Sequence, residues 1–290
     1  MRDYISLLMR VFQKTSELAS YINKLKREGK SVGFVPTMGY LHEGHLSLVR
    51  CAKRENDTVV VSIFVNPTQF GKGEDFDRYP RDLDRDLKLL QKEGVEIVFV
   101  PQVGDMYPEG FSTFVEETKL SRKWEGEFRP GHFKGVCTVV LKLFNIVKPD
   151  RAYFGEKDFQ QLKVIQKMVK DLNLDVEIVG CPIVREEDGL AMSSRNVYLS
   201  KEEREQATAI YQSFQLAQKL VKEGLKNPRE LEKRIVNFLK KFPLIKEIDY
   251  VAIVDEDTLE PVKEIKGKER ILVAVRLPSA RLIDNWKLEI

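Results

Sequence analysis

Hydrophobic and polar positions fall into short apolar runs that alternate with longer amphipathic stretches. Residues 16–28 bring Leu18, Tyr21, Ile22 and Leu25 to one helical face and stop at Gly29, which predicts a capped helix. The run from Ser31 through Val35 reads as a strand that breaks at Pro36 and reopens as a helix near Glu43. Residues 58–65 (TVVVSIFV) form an almost unbroken β-branched run, the signature of a central parallel strand covered on both faces. A helix carrying Leu83, Leu87 and Leu90 follows and ends at Gly94, and then comes a strand over 96–100. Residues 136–147 are apolar nearly all round and predict a buried helix. A short strand over 152–154 leads to Gly155, then a helix with Phe159, Leu162, Ile165, Val169 and Leu172 on one face, then a strand over 175–179. The first ten or so residues show no usable period.

This alternation predicts an α/β chain with a Rossmann-like, doubly wound parallel sheet over residues 1–181. The texture changes at about Pro182. Ser200 and Glu203 make a capping box before a helix with Ala207, Ile210, Tyr211, Phe214 and Ala217 on one stripe. Pro228 opens a second helix with Leu231, Ile235, Phe238, Leu239 and Phe242 inward, and strands over 248–254 and 271–277 complete a smaller C-terminal α+β lid domain, 182–290.

With 290 residues, 42% of them hydrophobic, the chain suffices for two domains. No run approaches the length of a membrane span and no signal peptide opens the chain, so a soluble cytoplasmic protein is expected. The 48 basic and 45 acidic residues nearly cancel, which argues against a nucleic-acid surface. Cys51, Cys137 and Cys181 are scattered and read as reduced structural thiols.

Candidate chemistry clusters where the sheet model puts strand exits, the place where open α/β sheets bind ligands. The first cluster is Thr37-Met38-Gly39-Tyr40-Leu41-His42-Glu43-Gly44-His45. A strand running through a tight loop into a helix leaves backbone N–H groups and the positive end of the helix dipole to meet phosphate. His42 and His45, three apart across Gly44, can address one ligand. The same two residues also read as polar helix caps. HEGH is one residue shorter than the zinc motif H-E-x-x-H, and the third histidine, His132, is remote in sequence; a three-histidine zinc hydrolase is the alternative from another class.

A second cluster is Asn66-Pro67-Thr68-Gln69-Phe70, where a glutamine that both donates and accepts suits a ligand with hydroxyl and carboxylate groups. A third is Gly155-Glu156-Lys157-Asp158-Phe159-Gln160-Gln161, with a point charge at Lys157 for phosphate and a cap or ribose acceptor at Asp158. The last is Ala191-Met192-Ser193-Ser194-Arg195-Asn196, two hydroxyls and an arginine fit to wrap a polyphosphate. Each alone also reads as an ordinary capped or polar loop.

VPTMGYLHEGH resembles the HxGH nucleotide-binding motif of the nucleotidylyltransferase superfamily, with MSSR in the place of its KMSKS-type loop. The full set VPTMGYLHEGH, SIFVNPTQF, RPGHFKGV, FGEKDFQQL and DGLAMSSRN, in that order, is similar to the pantothenate synthetase (pantoate–β-alanine ligase) family along nearly the whole chain. Two departures are minor. The N-terminus is several residues longer than the family leads one to expect, and Ala191 stands at a KMSKS lysine position, so Lys157 and Arg195 would supply the positive charge.

The resemblance implies an ATP-dependent ligase that joins (R)-pantoate to β-alanine through pantoyl adenylate, releasing pyrophosphate and AMP. It implies ATP held by Met38, Gly39, Tyr40, Leu41, His42, Glu43, Gly44 and His45, by Gly155, Glu156, Lys157 and Asp158, by Val184, and by Met192, Ser193, Ser194 and Arg195. His45 is the family's proton donor, and His42, Lys157 and Arg195 complete the catalytic set. Gln69 would bind pantoate and β-alanine, and Gln161 pantoate. Mg²⁺ would bridge phosphate oxygens with few protein ligands. Asp86, within the acidic run Asp82, Asp84 and Asp86, is the candidate ligand, although that run reads equally as a solvated helix face. Arg129 and His132, in RPGH, are expected near the site without an assigned role. A homodimer is also implied. Another adenylyl-transferring enzyme of the superfamily and a nucleotide sensor without catalysis remain the other readings.

Overall fold

The computed structural model describes residues 9–290, so the expected N-terminal extension lies outside the described residues. The chain divides into two compact units, one of residues 1–156 and 161–182, the other of 157–160 and 183–290. This division puts Lys157–Gln160 with the second unit, whereas the sequence reading set them in the first.

In the first unit the elements run β1 (Arg10–Phe12), α1 (Thr15–Arg27), β2 (Val32–Thr37), α2 (Glu43–Glu55), β3 (Thr58–Ile63), α3 (Leu83–Lys92), β4 (Ile97–Phe99), α4 (Val103–Met106), α5 (Glu125–Phe128), α6 (His132–Val147), β5 (Arg151–Gly155), α7 (Phe159–Asp171, its first two residues assigned to the second unit) and β6 (Glu177–Cys181). The six strands form one sheet in the order β1-β4-β3-β2-β5-β6, and every pairing is parallel. The chain moves outward from β2 through β3 to β4, then crosses back to β5 on the other side of β2. The switch point therefore lies between β2 and β5, and the loop leaving β2 opens there.

Alternate side chains of the strands feed two cores. Phe34, Val60, Phe99 and Phe154 pack with Leu18 and Ile22 of α1, Val140 and Phe144 of α6, and Leu162 and Ile165 of α7. Val35, Val61, Val98 and Tyr153 pack with Leu46 and Val49 of α2 and Leu90 of α3. Both faces are thus covered, which is why these strands read as continuous apolar runs. Helix α6 begins four residues before the predicted start, its first turn burying His132 and Gly135 beside Phe133, so that polar and small positions interrupt the apolar run.

The second unit holds α8 (Lys201–Ala207), α9 (Ala209–Lys222), α10 (Pro228–Leu239), β7 (Glu247–Asp255), β8 (Glu269–Arg276) and β9 (Arg281–Lys287). Its strands form an antiparallel sheet in sequence order. Ile210, Phe214 and Ala217 of α9 and Leu231, Ile235 and Leu239 of α10 share one core with Ile253, Ile271, Val273 and Leu282. The Ser200 capping box forms as the sequence indicates, with Glu203 N donating to Ser200 Oγ at 3.2 Å and Ser200 N to Glu203 Oε2 at 2.8 Å. The single helix expected after it is two, divided at Thr208.

Candidate active site

The β2 exit is built around one buried carboxylate. Gly39 and Tyr40 adopt left-handed backbone (φ 82° and 49°), and a Cβ on Gly39 would lie 2.9 Å from Ile63 Cγ2 and 3.1 Å from Asp86 Oδ2. Only glycine gives both the φ and the close approach at that position. Asp86, on α3 and 1% exposed, accepts from Tyr40 N at Oδ2 and from Leu41 N at Oδ1, both at 2.7 Å. Burial pushes its carboxyl above the ordinary value, against the pull of those two N–H groups and of Arg85. Asp86 does not present an open edge to an ion, as expected of a metal ligand. It holds the loop instead. Thr37 closes the turn from the strand side, donating to Ser62 O at 2.7 Å and accepting from Gly39 N at 3.1 Å.

That loop delivers His42 to the N-cap of α2. Gly44 N donates to His42 Nδ1 at 3.1 Å, and His42 N donates to His45 Nδ1 at 3.2 Å. The two rings lie 4.1 Å apart between centroids. A ring nitrogen that accepts an N–H carries no proton, so in each neutral imidazole the proton sits on Nε2. The helix-cap reading thus holds: the caps occupy Nδ1 of both rings.

The β3 exit carries Gln69 in a 3-10 turn, Pro67–Gln69, capped by Asn66. Gln69 is 8% exposed, and its Nε2 lies 3.1 Å from Met38 Sδ, so the turn and the β2 loop meet. Asn66 Nδ2 donates to Gln69 Oε1 at 3.1 Å and to Gly135 O at 3.2 Å, while Asn66 Oδ1 accepts from Tyr107 Oη at 2.8 Å. Asn66 belongs to the second sequence cluster without a role of its own, although Asn before Pro at a strand exit is itself a cap signal, and Tyr107 was not singled out. His132 Nδ1 stands 2.9 Å from the backbone oxygen of Gln69, and Arg129 Nη1 lies 3.2 Å from His132 Nε2. Gln161 lies half-buried in the first turn of α7.

In the second unit Lys157 Nζ lies 3.7 Å from Asp158 Oδ1. Asn285 Nδ2 donates to Lys157 O at 3.0 Å. A tight hairpin precedes MSSR: Met192 N donates to Val184 O at 3.0 Å, and Arg185 Nη1 donates to Gly189 O at 3.0 Å. Arg185 also forms a bidentate pair with buried Asp284, at 2.6 and 3.0 Å. Ser193 caps the 3-10 turn Ser194–Tyr198, accepting from Arg195 N at 3.3 Å, and Ser194 is buried. Asp284 and Asn285 thus hold the hairpin and the Lys157 turn from a single strand. Sequence reasoning missed both, because polar residues there obscured the strand.

The histidines do not gather. His42 and His45 adjoin at α2, whereas His132 is committed to Gln69 and Arg129. Among the described residues no group of three or more His, Cys, Asp or Glu side chains comes together to hold a metal ion. No helix among them is long and apolar enough to cross a membrane.

The family model for pantoate–β-alanine ligase matches residues 10–287. The chain is 58% identical over 279 residues to the pantothenate synthetase of Aquifex aeolicus, covering 96% of this chain and 99% of that protein. It is 60% identical over 277 residues to the one from Thermotoga neapolitana, with coverage of 96% and 99%. Among solved structures, pantothenate synthetase from Thermus thermophilus superposes with a TM-score of 0.92 at 51% identity, covering 97% of this chain and all of that one. Pantoate–β-alanine ligase from Francisella tularensis, in complex with β-γ ATP and β-alanine, superposes with a TM-score of 0.79 at 36% identity, over 96% and 97% of the two chains. Motifs, sheet order and near-complete coverage agree, and the chain belongs to the pantoate–β-alanine ligase family.

Proposed function

We propose that this chain catalyses the ATP-dependent condensation of (R)-pantoate with β-alanine to pantothenate, through pantoyl adenylate. A carboxylate oxygen of pantoate attacks the α-phosphorus of ATP, the bond to the β-phosphate oxygen breaks, and pyrophosphate leaves. The amine of β-alanine then attacks the activated carbonyl, loses a proton, and AMP departs. Adenylation converts a poor acyl donor into a good one, and its barrier lies in bringing two anions together.

The observation that carries this reading is the reciprocal capping of His42 and His45, which orients two Nε2–H donors from one helix start. Donors preset before the ligand arrives stabilise charge as it develops, without reorganisation at the moment of reaction. His45 is the proton donor, and His42, Lys157 and Arg195 share the phosphate charge. Met38–His45, Gly155–Asp158, Val184 and Met192–Arg195 bind ATP. Gln69 takes pantoate and β-alanine, and Gln161 takes pantoate. ATP phosphates ordinarily bring Mg²⁺, which binds phosphate and water oxygens with few protein ligands. Asp86 does not fit that role, since it is buried with each oxygen turned to a backbone N–H. A homodimer in the cytoplasm fits the family resemblance, and sedimentation tests the dimer.

The test is pyrophosphate release from ATP. Release that requires pantoate and proceeds without β-alanine, followed by AMP and pantothenate once β-alanine is added, supports the scheme. Pyrophosphate release indifferent to pantoate overturns it.

A further inference from the structure

We propose that His132, backed by Arg129 and Glu74, is a positioning residue that fixes the main chain of Gln69 and so aims its side-chain amide at pantoate. The inference rests on the assignment of Gln69 to pantoate made above.

A carbonyl oxygen can only accept, so the 2.9 Å contact of His132 Nδ1 with Gln69 O requires the proton on Nδ1. Nε2 then holds a lone pair and accepts from Arg129 Nη1 at 3.2 Å. Arg129 is fixed in turn by a bidentate pair with Glu74, Nε to Oε1 and Nη2 to Oε2, each at 2.8 Å, and Glu125 Oε2 lies 3.9 Å from Nη1. A longer contact of 3.5 Å runs from Arg129 Nη2 to the same Gln69 oxygen. The two ring nitrogens have distinct roles, and a flipped ring would put carbon where the carbonyl needs a donor. The imidazole is 7% exposed. Burial and the neighbouring Arg129 guanidinium push its pKa down to about 4, against the weaker opposing pull of the Gln69 carbonyl, Glu125 and Glu74, so it stays neutral.

A second contact fixes the same turn. Gly135 lies three residues after His132 on the same face of α6, and a Cβ there would stand 2.3 Å from Thr68 O and 2.6 Å from Gln69 Cα. Two backbones therefore touch directly, and Asn66 Nδ2 ties Gly135 O to Gln69 Oε1 across the contact. The first turn of α6 thus supports both the main chain and the side chain of Gln69.

KM values for pantoate and ATP are measured by pyrophosphate release for wild type, His132→Phe, His132→Asn and Gln69→Ala. His132→Phe keeps the ring but loses the donor, and it should raise the pantoate KM about tenfold, with the ATP KM within about twofold. His132→Asn puts an amide N–H near the place of Nδ1–H and should recover most of the loss. In ¹⁵N spectra of the wild type, His132 should carry its proton on Nδ1, opposite to His42 and His45. An unchanged pantoate KM in His132→Phe, an equal rise for ATP, or an asparagine no better than phenylalanine overturns the inference. A proton on His132 Nε2 overturns it too, and this measurement decides the matter if His132→Phe does not fold. An impaired Gln69→Ala beside an unaffected His132→Phe defeats the positioning role alone. Normal pantoate binding by Gln69→Ala defeats the pantoate reading beneath it.

Discussion

The side-chain amide of Asn285 donates to the main-chain carbonyl of Lys157 at 3.0 Å, while its Oδ1 accepts from Arg270 Nη1 at 2.7 Å. Asn285 is 2% exposed, and Arg270 lies over the ring of Phe159 at 3.8 Å. The turn that presents Lys157 is therefore fastened to β9 through buried groups. Asn285→Leu keeps the volume but removes the donor to Lys157 O and the acceptor of Arg270 Nη1. It should raise the ATP KM roughly five- to thirtyfold, equivalent to about 1–2 kcal/mol, with a smaller effect on pantoate. Steady-state kinetics with each substrate varied checks this, and an ATP KM within twofold of wild type, about 0.4 kcal/mol, rules it out.

His45→Ala removes the proposed phosphate donor and the acceptor for His42 N, yet leaves the apolar face of α2 in place. Single-turnover pyrophosphate release should fall by about a hundredfold or more, the scale of losing one preset donor to developing charge. The far-ultraviolet circular dichroism should not change. A rate near wild type would remove His45 from the chemistry.

Asp86→Asn separates a loop-holding carboxylate from a metal ligand. An asparagine must turn its NH₂ toward one of the two backbone donors, Tyr40 N or Leu41 N, and lose that bond. The ATP KM should rise by the equivalent of about 1–3 kcal/mol. The Mg²⁺ concentration that gives half-maximal rate should stay where it was, and a marked shift of that midpoint would return Asp86 to the metal.

His132 gives the fold a defined acid response. Its pKa is lowered from 6.5 to about 4 in the folded chain, so between those values the unfolded state binds more protons. Stability from this group is complete above the unfolded value and is lost as pH falls from about 6.5 to about 4, by roughly 3 kcal/mol in all. Urea unfolding at pH 7 and pH 4.5 should show a smaller acid loss for His132→Asn than for wild type. Equal losses would show that the imidazole is not held neutral.

The central strands were legible because β2, β3 and β5 are buried on both faces and carry almost nothing polar. β9 was not legible. Its Asp284 and Asn285 are both buried but are matched by Arg185 and Arg270, partners far away in sequence, so the apolar period is broken. β1 spans three residues at the sheet edge, too few to show a period. The loops after β2 and β3 could be placed because strand exits are predictable from topology. The work of Arg129 and His132 could not, since His132 acts on a backbone oxygen 63 residues away and that oxygen has no letter in the sequence. The hold of Asp86 on the loop was hidden for a related reason: an acidic run at a helix start looks solvated until its carboxylate is seen against two amides.

The contact at Gly135 bears on how the proposed pantoate site can be remodelled. Where two main chains touch, no substitution on either can widen or narrow the gap gradually, because even one added methyl meets Thr68 O at 2.3 Å. Changes of acid substrate would have to come from the side chains that project above this floor, while the floor itself admits only the smallest amino acid.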